Sequence, residues 1–200
     1  MKTAGSPFRV AIFLSGGGRS LQNLIDCQRR GELEGVELTL ALSSSSKVRG
    51  VEVARDAGLE THIVNKSDFS DPQSYQEAMF GPCRQHNVKL VVMAGFLKHV
   101  LIPEDFAGQV INIHPSLLPS FGGEGMYGNR VHQAALDRGV KISGCTVHYV
   151  DNDYDNGPIL LQRSCHVAPH DTAASLAARV FELECQALPE AVRTCSESLA

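Results

Sequence analysis

No apolar run in this sequence approaches the roughly 18–20 residues that a membrane-spanning helix requires. That excludes an α-helical membrane protein. Met1 to Pro7 contains one lysine and no hydrophobic stretch, so it is no secretory signal and reads as a short disordered lead into the first strand. Positive charge is not in excess: 18 Lys and Arg stand against 22 Asp and Glu, a net charge of −4. This balance argues against nucleic acid as a partner, but it leaves room for a local basic pocket for one phosphate. None of the six cysteines (Cys27, Cys83, Cys145, Cys165, Cys185 and Cys195) belongs to a C-x-x-C pair. Several sit in apolar runs, as the buried reduced thiols of a cytoplasmic protein do. The histidines are not clustered at ligand spacing, so no metal site is expected.

What is present fits one medium domain spanning residues 1–200. The chain is 43% hydrophobic, enough for a sizeable core. It contains no linker of disordered composition and no internal repeat. Arg9 to Leu14 is an apolar run stopped by Ser15-Gly16-Gly17-Gly18, the pattern of a buried parallel strand entering a glycine turn. A helix follows over Ser20 to Arg30, with Leu21, Leu24 and Ile25 at helical spacing. Then come a strand (Val36 to Leu42), a helix (Val48 to Ala57), a short strand (Thr61 to Val64), a helix from Asp71-Pro72 to about Asn87, and a strongly apolar strand (Val88 to Ala94). This alternation predicts an α/β fold with a doubly wound, mostly parallel central sheet flanked by helices. Val110 to Ile113 is the next strand, and a glycine-rich loop, Phe121 to Gly128, reads as a mobile cover. A helix over Asn129 to Arg138, strands over Ile142 to Val150 and Ile159 to Val167, and a helix from Ala173 to about Ser196 complete the chain.

Two segments concentrate the chemistry. Ile111-Asn112-Ile113-His114-Pro115-Ser116 is an apolar strand that ends in polar residues and is stopped by proline. Such a strand delivers side chains to the carboxyl edge of a sheet, where ligands bind in open α/β folds. Asn112 and His114 are two apart and so share a face. About 40 residues later comes the acidic turn Asp153-Tyr154-Asp155-Asn156-Gly157-Pro158. An amide donor, an imidazole and the Asp155 carboxylate suit acyl transfer without a covalent intermediate. Asp151, Asp153 and Asp155 lack the ligand pattern of a calcium loop.

Other segments have two readings. Gly16 to Ser20 is either a plain strand-to-helix turn or a phosphate cradle of backbone N–H groups at a helix start. It matches neither the dinucleotide nor the Walker pattern. Gly95 to His99 is either an ordinary strand exit or a main-chain ledge for a flat heterocycle. His148 is expected to be a satisfied structural histidine. His62, His86, His132, His166 and His170 show no constellation, and Glu182 and Glu184 read as solvated helix residues.

These residues carry a family resemblance. Ser15 to Gly18, Ala94-Gly95-Phe96, Asn112 to Pro119, Val147 to Val150 and Asp155 to Ile159 resemble the glycinamide ribonucleotide transformylases, also called phosphoribosylglycinamide formyltransferases. The likeness runs from about Arg9 to Val192. It implies a formyltransferase-like, Rossmann-type fold and formyl transfer from the cosubstrate 10-formyltetrahydrofolate to the amine of 5-phosphoribosyl-glycinamide in purine synthesis. By motif, Asn112, His114 and Asp155 would be catalytic. Gly18, Arg19, Ser20 and Gln22 would hold the phosphate, and Glu184 would receive the amine. The pterin would lie against Leu97, Lys98, His99 and Val100 and against Val150, Asp151, Asn152, Asp153 and Tyr154. No metal is implied, and the expected assembly is a monomer or homodimer. An arginine that bacterial members use for the phosphate is absent: Pro72 aligns there, and Lys66 or Arg19 is the expected substitute. The related deformylases usually carry an added N-terminal domain, whereas only about eight residues precede the first strand here. Methionyl-tRNA and sugar-nucleotide formyltransferases usually extend at the C-terminus. A binding protein that has lost catalysis would have no need of the whole Asn/His/Asp set.

Overall fold

A computed structural model describes residues 6–199; most of the lead expected at Met1 to Pro7 lies outside them. Seven strands form one sheet in the order β3-β2-β1-β4-β5-β6-β7. They are β1 (Phe8–Leu14), β2 (Val36–Ser43), β3 (Glu60–Ile63), β4 (Leu90–Met93), β5 (Val110–His114), β6 (Ile142–Tyr149) and β7 (Ile159–His166). The helices are α1 (Arg19–Arg29), α2 (Arg49–Asp56), α3 (Pro72–Gln85), α4 (Asn129–Arg138) and α5 (Ala173–Ser198). β1 to β5 pair in parallel, while β6 and β7 extend the sheet antiparallel.

Burial on both faces explains the continuous apolar strands. Val10, Ile12 and Leu14 pack into one core with residues of α1, α2, α4 and α5. Ala11 and Phe13 point the other way, into a second core with Tyr75, Met79, Phe80 and Cys83 of α3. Helix starts follow local chemistry. Asp71 accepts a hydrogen bond from Ser74 N at 2.9 Å, with Pro72 at the first helical position, a cap of about 1 kcal/mol. Thr172 and Ser175 form a capping box on α5.

β4 spans four residues rather than the seven of its apolar run, because its ladders reach no further than Leu90 and Met93. Two 3₁₀ turns, Lys66–Asp68 and Glu104–Phe106, were not foreseen, since three residues carry no readable period.

The chain winds outward in one direction from β1 and in the other from β4. Their carboxyl ends therefore form the crevice of a topological switch point. Ser15 ties the two exits together: its N–H donates to the Gly95 carbonyl at 3.1 Å, and its Oγ accepts from Leu97 N at 2.9 Å. The β1–α1 turn also lies directly on α2. Gly18 has φ 73°, and a Cβ there would stand 2.6 Å from Gly50 Cα.

Candidate active site

β5 ends where it must to present its polar residues. His114 is its last residue, one beyond the expected end, and Asn112 lies opposite His148 on β6. The acidic turn returns Asp155 over this edge. Its backbone is held at φ 52°, and the Phe121 backbone at φ 57°, a left-handed conformation that costs free energy in a non-glycine residue. Gly122 makes the approach possible: a Cβ there would stand 2.6 Å from Leu118 Cδ2 and 3.1 Å from Asp155 Cβ.

The three expected residues meet. Asp155 Oδ2 lies 3.4 Å from His114 Nδ1 and accepts from Gly123 N at 2.9 Å. Asp155 Oδ1 lies 3.5 Å from Asn112 Nδ2. His114 Nε2 faces the Phe121 carbonyl at 2.9 Å. A carbonyl only accepts, so Nε2 carries the hydrogen and Nδ1 is the basic position in the neutral ring. Burial pushes the His114 pKa down; the Asp155 charge and the Phe121 carbonyl offset part of that. Burial acts to raise Asp155, but the His148 and His114 rings and the Gly123 N–H hold its carboxyl below the usual range.

His148 is buried and satisfied, as expected of a structural histidine, but it also belongs to this cluster. Its Nδ1 faces the Tyr149 carbonyl at 2.8 Å, so in the neutral ring Nε2 accepts from Asn112 Nδ2 at 3.1 Å; the same nitrogen lies 3.6 Å from Asp155 Oδ1, which it faces as a donor when the ring is charged. The contact with Asn112 fixes which end of that amide is the donor end. The strand register was the missing signal: Asn112 and His148 become neighbours only once β5 and β6 pair.

Two cavities share this wall. The larger, about 490 Å³, is lined by Asn112, His114 and Asp155 together with Arg19, Ser20, Leu97, Glu184 and the Gly123–Gly128 loop. The smaller, about 80 Å³, is lined by Lys98, His99, Val100, Val150, Asp151, Asp153 and Tyr154, and also by Asn112, His148 and Asp155. Asn152 lines neither. It ties the two loops beside the smaller cavity together, accepting from His99 Nε2 at 2.9 Å on its carbonyl and from Ile102 N at 2.8 Å on Oδ1.

Glu184 is not a solvated helix residue. It faces the large cavity, and burial raises its carboxyl to about 7 against the pull of Arg19. Arg19 itself lies 3.5 Å over the Phe181 ring. His132, which shows no constellation in the sequence, is buried on the cavity wall, with Nδ1 lacking a partner.

The glycine turn opens on a neighbouring cavity of about 310 Å³, which brings together Gly18, Arg19, Gln22 and Arg49. Gln22 donates there to Asp26 at 2.9 Å. Arg49 was missed in the sequence, because only the Gly18–Gly50 contact brings the start of α2 to this turn. Lys66 does not reach it: its ammonium donates to the His99 carbonyl at 3.0 Å, on the side of the smaller cavity.

The sequence profile of the formyl transferase family matches residues 8–192. The chain is a member of the formyl transferase family. It is 38% identical over 194 residues to the chloroplastic phosphoribosylglycinamide formyltransferase of Vigna unguiculata, covering 94% of this chain and 61% of that one. It is 35% identical to the human trifunctional purine biosynthetic protein adenosine-3, over 92% of this chain and 18% of that protein. The chain thus spans about three-fifths of one curated relative and less than a fifth of the other. Among solved structures, glycinamide ribonucleotide transformylase 1 of Symbiobacterium toebii superposes with a TM-score of 0.89 at 33% identity, covering 97% of this chain and 90% of that one. The expected α/β formyltransferase fold is therefore correct. The chain has no helix long and apolar enough to cross a membrane among its described residues.

Proposed function

We propose that the chain transfers a formyl group from 10-formyltetrahydrofolate to the primary amine of 5-phosphoribosyl-glycinamide, a step of purine biosynthesis. The observation that carries this reading is the convergence of Asn112 and Asp155 on a wall common to two cavities, with His114 beside them. One cavity takes the folate ring and the other the ribonucleotide, so the formyl carbon and the amine meet at the junction.

The chemistry follows from the hydrogen-bond pattern. The neutral amine attacks the formyl carbon, and the carbonyl π pair moves to oxygen. Asn112 Nδ2 has two hydrogens; His148 takes one, and the second leaves its long 3.5 Å contact with Asp155 Oδ1 to donate to the new oxyanion. One such donor is worth on the order of 3 kcal/mol. His114, neutral at rest, accepts the amine proton at Nδ1 through a water. The resulting imidazolium stands beside Asp155, and that pairing stabilises it. The proton then passes to the folate nitrogen as the C–N bond to it breaks. Glu184, poised near neutrality, receives the incoming amine. Gly18, Arg19, Ser20, Gln22 and Arg49 hold the phosphate by backbone N–H groups and two guanidinium charges.

The six free thiols support a reducing compartment, the cytoplasm, and the catalytic unit is a monomer or a homodimer. The test follows 10-formyltetrahydrofolate consumption with and without 5-phosphoribosyl-glycinamide. Turnover that requires the glycinamide and yields its formyl derivative is expected. Equal turnover without it would make the chain a deformylase. No turnover in either assay would overturn the reading.

A further inference from the structure

The edge strand β3 carries a second cluster, remote from both cavities. Glu60 and His62 are two apart on the strand and share a face. His86 is the C-cap of α3, which returns to the edge where the parallel strands begin. Arg9, the second residue of β1, donates there to the His86 carbonyl at 3.0 Å. Glu60 Oε1 lies 2.8 Å from His62 Nε2, and Glu60 Oε2 lies 3.3 Å from His86 Nε2. One ligand atom of each residue falls within 4.8 Å of the others, the only such trio of His, Cys, Asp or Glu among the described residues. The expectation that no histidines cluster is therefore corrected: the sequence keeps His62 and His86 apart, and the fold of α3 against β3 closes the gap.

We propose that Glu60, His62 and His86 bind one divalent transition-metal ion of the zinc class, clipping the edge strand to the end of α3. Two imidazoles and a carboxylate are a characteristic zinc ligand set, with bonds of about 2.0–2.2 Å. A tetrahedral ion at that length holds its ligand atoms roughly 3.3 Å apart. The 2.8 and 3.3 Å separations run to different oxygens of Glu60, and one ligand atom of each residue lies within 4.8 Å of the others, so side-chain rotation is enough to bring the three onto one ion. The side chains are a quarter to half exposed, which leaves an entry path and a fourth position for water. Calcium and magnesium ask for six or more oxygens, and one carboxylate does not supply them. Arg9 does not occupy the carboxylate, because its guanidinium lies 3.4 Å from Glu37. The site lies on the outermost strand of the sheet and lines neither cavity, so its role is to fasten the fold, and an ion bound only to the folded chain raises its stability.

Calorimetry with zinc chloride on the full chain, alongside His62→Ala and His86→Ala, tests this. One ion per chain, a higher Tm with zinc but not with magnesium, and affinity lower by more than about tenfold in each variant are expected; even changes in the shell around a metal site cost that much. Cobalt(II) then separates this site from the thiols: visible d–d bands without a sulfur charge-transfer band are expected. No binding, undiminished binding in both variants, or a thiolate band would each overturn the proposal.

Discussion

His114 and Asp155 face each other at 3.4 Å through Nδ1 and Oδ2, while the other nitrogen of His114 is held by the Phe121 carbonyl. The carboxylate therefore meets the one ring position that gains a proton, and the pair is complete only in the charged ring. Asp155→Asn removes that partner at nearly constant shape. The kcat should fall by about 10²–10⁴, the range of general acid–base contributions. The His114 pKa should also fall further, because the Asp155 charge opposes the effect of burial. Imidazole titration followed by NMR in both forms checks the shift; an unchanged pKa would remove Asp155 from this role.

His148→Ala deletes the acceptor that orients the Asn112 amide at 3.1 Å. It lines the smaller cavity and neither of the cavities on the phosphate side, so the KM for the phosphorylated substrate should hold while kcat drops by about tenfold or more, the usual cost of losing a supporting contact. Steady-state kinetics that show a KM effect alone would contradict it.

Arg49 and Lys66 are separable. Arg49 lines the cavity at Gly18 and Gln22, whereas Lys66 holds the His99 carbonyl. Arg49→Ala should raise the KM for the phosphorylated substrate by roughly 10-fold, equal to about 1.4 kcal/mol of binding, with kcat nearly constant. Lys66→Ala should leave that KM alone. The reverse pattern would return the phosphate site to Lys66.

Glu184 has its carboxyl raised by burial from 4.5 to about 7. A raised carboxyl stabilises the fold fully below the unfolded value, and that contribution is lost as the pH climbs through about 7. Glu184→Gln never ionises. Its Tm should therefore gain on wild type between pH 5 and pH 8, by no more than about 3 kcal/mol in stability. Parallel melting curves with pH-independent spacing would show that Glu184 is not buried ionisable charge.

Gly122→Ala places a Cβ 2.6 Å from Leu118 Cδ2 and 3.1 Å from Asp155 Cβ. Leu118 can yield, but the Asp155 backbone is already at φ 52°. The loss should appear in kcat, about 10²-fold for an ångström of misplacement, with the thermal midpoint moving little. A full-rate variant would mean that Asp155 tolerates displacement.

The sequence by itself determined the sheet, the helix starts and the shared strand face of Asn112 and His114. Continuous apolar runs can be buried only on both faces, Asp71-Pro72 is a local cap, and Asn112 and His114 share a face by a period of two. The resemblance added Glu184, whose surroundings on α5 gave no sign of a role. Tertiary structure alone decided which distant residues become neighbours. The β5–β6 register set His148 against Asn112, the Gly18–Gly50 contact carried Arg49 to the glycine turn and left Lys66 elsewhere, and the return of α3 brought His86 to Glu60 and His62. Periodicity and capping act within a few residues and are written locally. Register, close backbone approach and ligand clustering depend on how complete elements pack, which no window of the chain contains.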